Sequence, residues 1–412
     1  MTNLAQLAAE MDHTDRLRPF RERFVLPEGI VYLDGNSLGA MPVAVARSMD
    51  TFLQHEWGER LIRGWNDGWW EMPTRLGDQI GWLIGANPGE TLVCDNTTTN
   101  LYKLAWAVCT ATVQGGPIVT DDQNFPSDLY ILREVAERTG RELVIVPTDG
   151  LQTRMSDVEP AIGGASLLAL SLVAFKSGAL LDGSSWTRFA HEHGVPILWD
   201  LSHAVGVVPI AMADWRADFA VGCCYKHLHG GPGAPAFLSV RSDWIGRLRN
   251  PIPGWFGHAD PFAMAHAYTP EPGIRRFLTG SSPIASLKAL AAGVDLVEEA
   301  GVSAIRAKSE RMTAFAVDAW ATELRPLGFE LSSPAGAQDR GSHVTLGHPS
   351  ALAISRRMTQ RGVIPDFRPP NGLRLGFAPL YNSFADIVRG VEAIKEALST
   401  HGDADEPLGH VT

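Results

Sequence analysis

From about residue 90 to residue 240 the chain repeats one pattern: a short apolar, β-favouring run, then a stretch of helical period. The runs are TLVCD (91–95), PIVTD (117–121), ELVIVP (142–147), SLLALSLV (166–173), PILWDL (196–201), FAVGCC (219–224) and PAFLSV (235–240). Between several of them lie amphipathic stretches such as 99–114, 127–139 and 184–194. A strand with one wet face alternates apolar and polar residues. These runs stay apolar on both faces, so both faces must be covered. Helices between the strands cover them, which predicts an α/β fold with a parallel or mixed sheet. In such sheets ligands bind beyond the carboxyl ends of the strands. The residues that follow each run are therefore the candidates for chemistry.

After about residue 283 the pattern changes. Helical periodicity fills 283–328, short strands are expected near GSHVTLGH (341–348) and GLRLGFAPL (372–380), and a last helix near 383–398. This divides the chain into a large domain over 46–285 and a smaller α+β domain over 286–412. Residues 1–45 are expected to pack with the small domain, and a helix near 43–57 to lead into the large one. The polar tail 401–412 is expected to fray. With 45% hydrophobic and 20% charged residues the chain has enough apolar material for a large core. A formal net charge of −11 gives no support for a nucleic-acid or membrane-surface partner. The four cysteines, Cys94, Cys109, Cys223 and Cys224, form no CxxC pair, so neither a disulfide framework nor a cysteine metal site is indicated. The first residues lack the apolar core of a signal peptide, and no apolar run reaches about 18 residues, so a cytoplasmic protein is the expectation.

Two strand ends carry unusual residues. The fifth run ends in Asp200, with His203 three residues on; the sixth leads into GCCYKHLHGGPG, with Lys226 ahead of three glycines. A carboxylate ending an apolar strand needs a cation, a metal or a helix N-terminus to cap. A buried lysine becomes a nucleophile toward carbonyl carbon, whereas a surface lysine does not. An Asp and a Lys at neighbouring strand ends can address the two ends of one ring, the pyridinium nitrogen and the aldehyde of pyridoxal phosphate (PLP). The run CDNTTTNLYKLAWA puts threonines at a helix start, which suits either a phosphate or an ordinary cap. In QNFPSDLY, Phe125 can stack on a flat ring, and Asp128 can cap a helix or reach a cofactor.

Eight blocks together resemble kynureninases of the bacterial type: YLDGNSLGAMP, NTTTNLYKL, NFPSDLYIL, WDLSHAVGVVP, GCCYKHLHGGPGAPAFL, GWFGHADPFAM, RRFLTGSSPIASL and LRLGFAPLYNSF. They span nearly the whole chain. The resemblance implies a PLP-dependent transferase (aspartate aminotransferase-like) fold with a mainly parallel seven-stranded sheet. It further implies a homodimer with shared active sites and hydrolysis of L-kynurenine to anthranilate and L-alanine in tryptophan catabolism. Carried onto this sequence, Lys226 would bond the cofactor aldehyde and Asp200 would pair with the pyridinium. Phe125 would stack on the ring. Thr97, Thr98 and Tyr225 would contact the phosphate, with Tyr225 also a proton relay. Trp255 and Ser281 would reach the phosphate from the partner. Asp128, Ser171 and His203 would complete the cofactor surroundings. Arg374 would clamp the substrate carboxylate. Trp65 and Gly280 would shape the aryl pocket, favouring kynurenine over its 3-hydroxy derivative.

Two stretches depart from the family pattern: Leu172 and Ala174 stand where His and Asn are expected, and His227 and His229 follow the lysine in place of Tyr or Leu and Asn. The rival readings are another PLP enzyme of the same fold, such as a cysteine desulfurase, selenocysteine lyase or class V aminotransferase, and a metal-dependent hydrolase built on Asp200, His203, His227 and His229. A desulfurase needs a mobile cysteine in its C-terminal third, and all four cysteines precede residue 225.

Overall fold

The computed structural model describes residues 4–112 and 115–399. The 401–412 tail, expected to fray, lies outside the described residues. The first strand, β1 (Val31–Tyr32), pairs in parallel with a distant β11 (Val363–Ile364). The central sheet has seven strands: β2 (Thr91–Cys94), β3 (Ile118–Asp121), β4 (Leu143–Val146), β5 (Leu167–Ser171), β6 (Ile197–Asp200), β7 (Phe219–Gly222) and β8 (Ala236–Val240). These are the seven runs that the sequence marks. Their order is β2-β8-β7-β6-β5-β3-β4, with β8 reversed and the other six running one way. The expected mainly parallel sheet is thus the observed one.

Successive residues of a strand point to opposite faces, and the core divides accordingly. Leu168, Leu170, Ile197, Trp199, Ala220 and Phe237 pack into one apolar cluster, which also holds Trp186 and Phe189 from the helix Gly183–Glu192. Their neighbours Leu167, Ala169, Leu198, Phe219, Val221 and Leu238 pack into a second, with the helices Thr97–Ala111 and Pro126–Arg138. A third cluster lies around the antiparallel sheet β12-β13-β10-β9, whose strands are β9 (Glu330–Leu331), β10 (His343–Gly347), β12 (Asp366–Arg368) and β13 (Gly372–Gly376). The helices Val302–Ala319, Ala351–Gln360 and Phe384–Ser399 cover it, and Ala8 and Leu33 from the N-terminal segment join it. The helical stretch expected over 283–328 is broken at Gly301 (φ 77°) into Ile284–Ala300 and Val302–Ala319.

One ion pair, its lysine end fully buried and its carboxylate 24% exposed, ties the start of the helix Thr97–Ala111 to a distant loop. Lys103, on that helix, is fully buried, and its ammonium donates to the Asp95 carboxylate and to the Phe277 carbonyl at 2.6 Å. Thr279 Oγ1 donates to the other Asp95 oxygen at 3.3 Å. Asp95 itself sits in the left-handed region (φ 44°), which Asp tolerates better than most residues. Removing one partner of such a pair leaves the other uncompensated. Lys103→Met is expected to lose about 3 kcal/mol in urea unfolding, a loss that Lys103→Met in an Asp95→Asn background should largely escape.

Candidate active site

The carboxyl ends of β2, β3, β5, β6 and β7 share one edge of the sheet, so the segments that follow them converge there. Asp200 pairs in register with Ser171 on one side and Val221 on the other. Four residues past the end of β7 comes Lys226. Between these segments lies a cavity of about 320 Å³, lined by Asn96, Thr97, Thr98, Phe125, Ser127, Asp128, Ser171, Phe175, Asp200, Ser202, His203, Tyr225 and Lys226. Nine residues singled out in the sequence are brought together here: Thr97, Thr98, Phe125, Asp128, Ser171, Asp200, His203, Tyr225 and Lys226.

Lys226 is buried, and its Nζ lies 2.9 Å from Nε2 of His203. Burial, and then the Lys226 charge, hold the His203 pKa well below its ordinary value, so the ring is neutral and Nε2 is the acceptor. Its Nδ1 is buried with no partner among the described residues. Burial raises the carboxyl of Asp200, against the opposing bond from Ser202 and the Lys226 charge. Asp128 is raised well above the ordinary range, by burial and then by the Asp200 charge. Two buried carboxyls thus face one lysine. The backbone N–H of Ser202 donates to Asp200 Oδ1 at 2.9 Å and fixes the carboxylate. The Tyr225 phenol is raised by Cys223 and by burial and keeps its proton.

The cavity walls are pinned by side chains that the strand-end reading does not single out. Asn96 caps the helix of Thr97 and Thr98 by accepting the Thr99 N–H at 2.9 Å. Asn124 Oδ1 accepts from Ser171 Oγ at 2.6 Å, while its Nδ2 donates to Thr120 Oγ1 at 2.6 Å and to the Ala169 carbonyl at 3.1 Å. Phe175 meets Phe125 edge to face, with ring centroids 5.1 Å apart. Gly39, in the DGNSLG block, donates its N–H to the Tyr225 carbonyl at 2.8 Å. A Cβ there would come within 2.3 Å of the Lys226 carbonyl oxygen, so glycine is required for the close approach. The signal for Asn124 and Gly39 was present, since both lie in quoted blocks.

Other predicted residues lie elsewhere. Trp65, Trp255 and Ser281 line a separate cavity of about 770 Å³ with Trp70, Phe256 and Phe262. Gly280, beside Ser281, is exposed. Arg374, on β13, is 1% exposed and is held by Asp366, by Ser37 Oγ at 2.9 Å and by the Phe175 carbonyl. It stands behind the Phe175 wall, outside the lining of the Lys226 cavity. Leu172 and Ala174 are core residues. His227 and His229 are buried, and burial pushes each imidazole down to about 3. Among the described residues no cluster of three His, Cys, Asp or Glu side chains is placed to hold a metal ion. All four cysteines are buried, and burial pushes the Cys94 thiol up to about 12 and that of Cys109 to about 11.

The backbone has close relatives among solved structures. It matches the cysteine desulfurase of Thermococcus onnurineus NA1 with a TM-score of 0.82, at 19% identity, over 92% of this chain and 97% of that one. It also matches a mutant of the cystine lyase C-DES with glycine covalently linked to its PLP cofactor, with a TM-score of 0.81 at 15% identity over 91% and 98%. At these identities the likeness establishes the fold, an α/β fold shared with this desulfurase and this PLP-bound lyase. The sequence is similar to curated kynureninases: 39% identical to that of Burkholderia pseudomallei over 95% of each chain, and 38% identical to that of Pseudomonas fluorescens over 94% of each. Residues 305–394 match the kynureninase C-terminal domain family. The chain belongs to the kynureninase family.

Two outcomes test this site description. Asn124→Ala strips the partners from Ser171 and Thr120 and is expected to lower stability by about 2 kcal/mol in urea unfolding. Because folding depresses the pKa of His227 and His229, the unfolded chain binds more protons below the ordinary histidine range. Stability is therefore full above about pH 6.5 and falls toward acid, by about 1 kcal/mol per pH unit for each such histidine. His227→Gln should flatten that slope in urea melts at pH values between about 6.5 and 5; an unchanged slope would place its titration elsewhere.

Proposed function

We propose that this chain hydrolyses L-kynurenine to anthranilate and L-alanine, a step of tryptophan breakdown, with PLP held in the Lys226 cavity. The reading rests on one observation above others: a chain of the kynureninase family carries a buried lysine amine 2.9 Å from a neutral histidine, over two buried carboxyls. The residues fit the cofactor. A pyridinium nitrogen would give Asp200 the cation that its burial calls for. A ring oxygen would give the orphaned Nδ1–H of His203 an acceptor. Thr97 and Thr98, at a helix N-terminus, suit a phosphate. Phe125 is 41% exposed and free to stack on a ring. When bound, PLP supplies an aldehyde that captures the substrate amine and a cationic ring that withdraws electrons from the substrate carbons.

In this reading the Lys226 amine takes the proton from the substrate Cα, with His203 beside it to keep the amine in place. Water adds to the γ-carbonyl of the substrate and the Cβ–Cγ bond breaks. Tyr225, still protonated, is the group placed to move a proton to the alanine-forming fragment. Arg374 partners the substrate carboxylate from behind the Phe175 wall. Trp255 and Ser281 serve the cavity of a second copy. Their position in a cavity of their own and the 44% exposure of Trp255 support a homodimer with shared sites. Trp65 and Gly280 would border the aryl ring from the same side. No described helix is long and apolar enough to cross a membrane, and a cytoplasmic location belongs to the same proposal.

The test is direct. PLP-loaded protein is mixed with L-kynurenine, and anthranilate fluorescence and alanine are followed together. Equal amounts of both support the proposal, and a PLP-binding protein that forms neither moves the function to a sister lyase or aminotransferase. Lys226→Ala is expected to abolish turnover and the absorbance band of the lysine-bound cofactor together; retained turnover would remove Lys226 from its role. Arg374→Ala is expected to raise KM for kynurenine by about 100-fold or more, as the loss of a charged partner does.

A further inference from the structure

Behind the Phe175 wall, the DGNSLG segment and strands β12 and β13 bury a set of opposed charges. Asp366 stands directly across from Arg374 in the β12–β13 ladder, and the two form an ion pair with each side chain 1% exposed. Arg368 Nη2 reaches the same carboxylate at 3.0 Å. Asp34 completes the set. It is 6% exposed, and its Oδ1 has no hydrogen-bond partner among the described residues. Nε of Arg374, Nε of Arg368 and both side-chain polar atoms of Asn36 are likewise buried without partners. Two carboxylates and two guanidiniums therefore balance there, with Arg368 32% exposed and the other three buried, and the set still holds unused donors.

The other titratable groups around it come from every packed element: Tyr32 on β1, Tyr381 after β13, His343 on β10, and His203 and His227 from the cavity side. Burial raises both phenols and lowers all three imidazoles, so these five are uncharged near neutral pH. The carbonyl of Phe175, which lines the Lys226 cavity, accepts from Arg374, so the charge set is one residue deep behind the cavity wall.

We propose that Asp34 takes up a proton when the α-carboxylate of the substrate joins Arg374, so that substrate binding is coupled to protonation of this buried carboxyl. This deepens the reading of Arg374 given above and rests on it. A third carboxylate brought into a balanced, largely buried set of charges leaves one negative charge without a cation, which is costly. Asp366 is held by two guanidiniums. Asp34 has an oxygen with no donor and faces the charge of Asp366, so the proton goes there. Burial and the Asp366 charge already lift the Asp34 carboxyl to about 7, and a second anion nearby lifts it further. The sign follows: the protonated form accepts the substrate carboxylate and the ionised form opposes it. Apparent affinity is then full below about pH 7 and falls by as much as about tenfold per pH unit above it, in step with the competent fraction.

The experiment measures KM for L-kynurenine with the PLP-loaded enzyme from about pH 6 to about pH 9, for wild type, Asp34→Asn and Arg374→Ala. Asparagine mimics the protonated carboxyl. Wild-type KM is expected to be level near pH 6 and to rise roughly tenfold between about pH 7.5 and about pH 8.5. Asp34→Asn should lose that rise and fall below the wild-type KM at the alkaline end, while kcat keeps its own pH profile. A level wild-type KM across the range overturns the proposal without need of any variant. So does an Asp34→Asn enzyme with the wild-type rise. An Arg374→Ala enzyme with unchanged KM overturns the reading of Arg374 and this coupling with it, whereas a raised KM combined with a persistent rise in Asp34→Asn sinks the coupling alone.

Discussion

A lysine amine is costly to bury, and the structure around Lys226 is arranged to make that burial tolerable without neutralising it by a tight ion pair. The parallel strands bring the ends of β5, β6 and β7 side by side, so that Ser171, Asp200 and the Lys226 loop meet at one edge. His203 gives the amine an acceptor that carries no charge. Asp200 and Asp128 stand near as buried acids whose charges are disfavoured by the same dry surroundings. The result is a buried amine held by geometry, with two buried carboxyls beside it. The surrounding elements support that edge: helix Thr97–Ala111 closes one side of the cavity, Asn124 anchors Ser171, and Gly39 lets the N-terminal segment press against the lysine loop.

The site has two layers of charge separated by one side chain. The layer in the cavity is built from Lys226, Asp200 and Asp128. The layer behind Phe175 is built from Arg374, Asp366, Arg368 and Asp34. Such sets are weak sources of stability, because desolvation offsets most of the attraction. Their value lies in poise: a small change in charge at one member shifts the protonation of another. The imidazoles of His203, His227 and His343, uncharged because they are buried, lie within reach of both Lys226 and Arg374.

Fold and family speak at different levels here. The cysteine desulfurase of Thermococcus onnurineus NA1 shares the backbone closely at 19% identity, so that likeness speaks for the fold alone. The four cysteines of this chain are buried with their thiols pushed toward the neutral form. The scaffold is common property, and the side chains at the sheet edge distinguish one enzyme from another.

Much of this was legible in the chain because its causes are local. Burying a strand on both faces leaves an unbroken apolar run, and all seven runs became strands of one sheet. Residues at the ends of those runs converge wherever the strands are parallel, which is why Lys226, Asp200, His203, Thr97, Thr98, Phe125 and Asp128 stood out at the strand ends, whereas Ser171 and Tyr225 followed from the family resemblance alone. The rest depends on how distant segments fold back. Whether Lys103 lies on a wet or a dry helix face is decided by where the 277–279 loop lands, not by its own neighbours in sequence. Trp65, Trp255 and Ser281 share a cavity with one another and not with Lys226, since segments 61–71 and 254–281 meet only through tertiary packing. The pairing of Asp366 with Arg374 follows from the register of β12 on β13, and the exposure of Asp34 to both charges from the docking of the N-terminal segment on that sheet. Hydrophobic pattern reports burial along one strand or helix. It carries no information on which buried charge will face which, and that partnership is what tertiary structure decided.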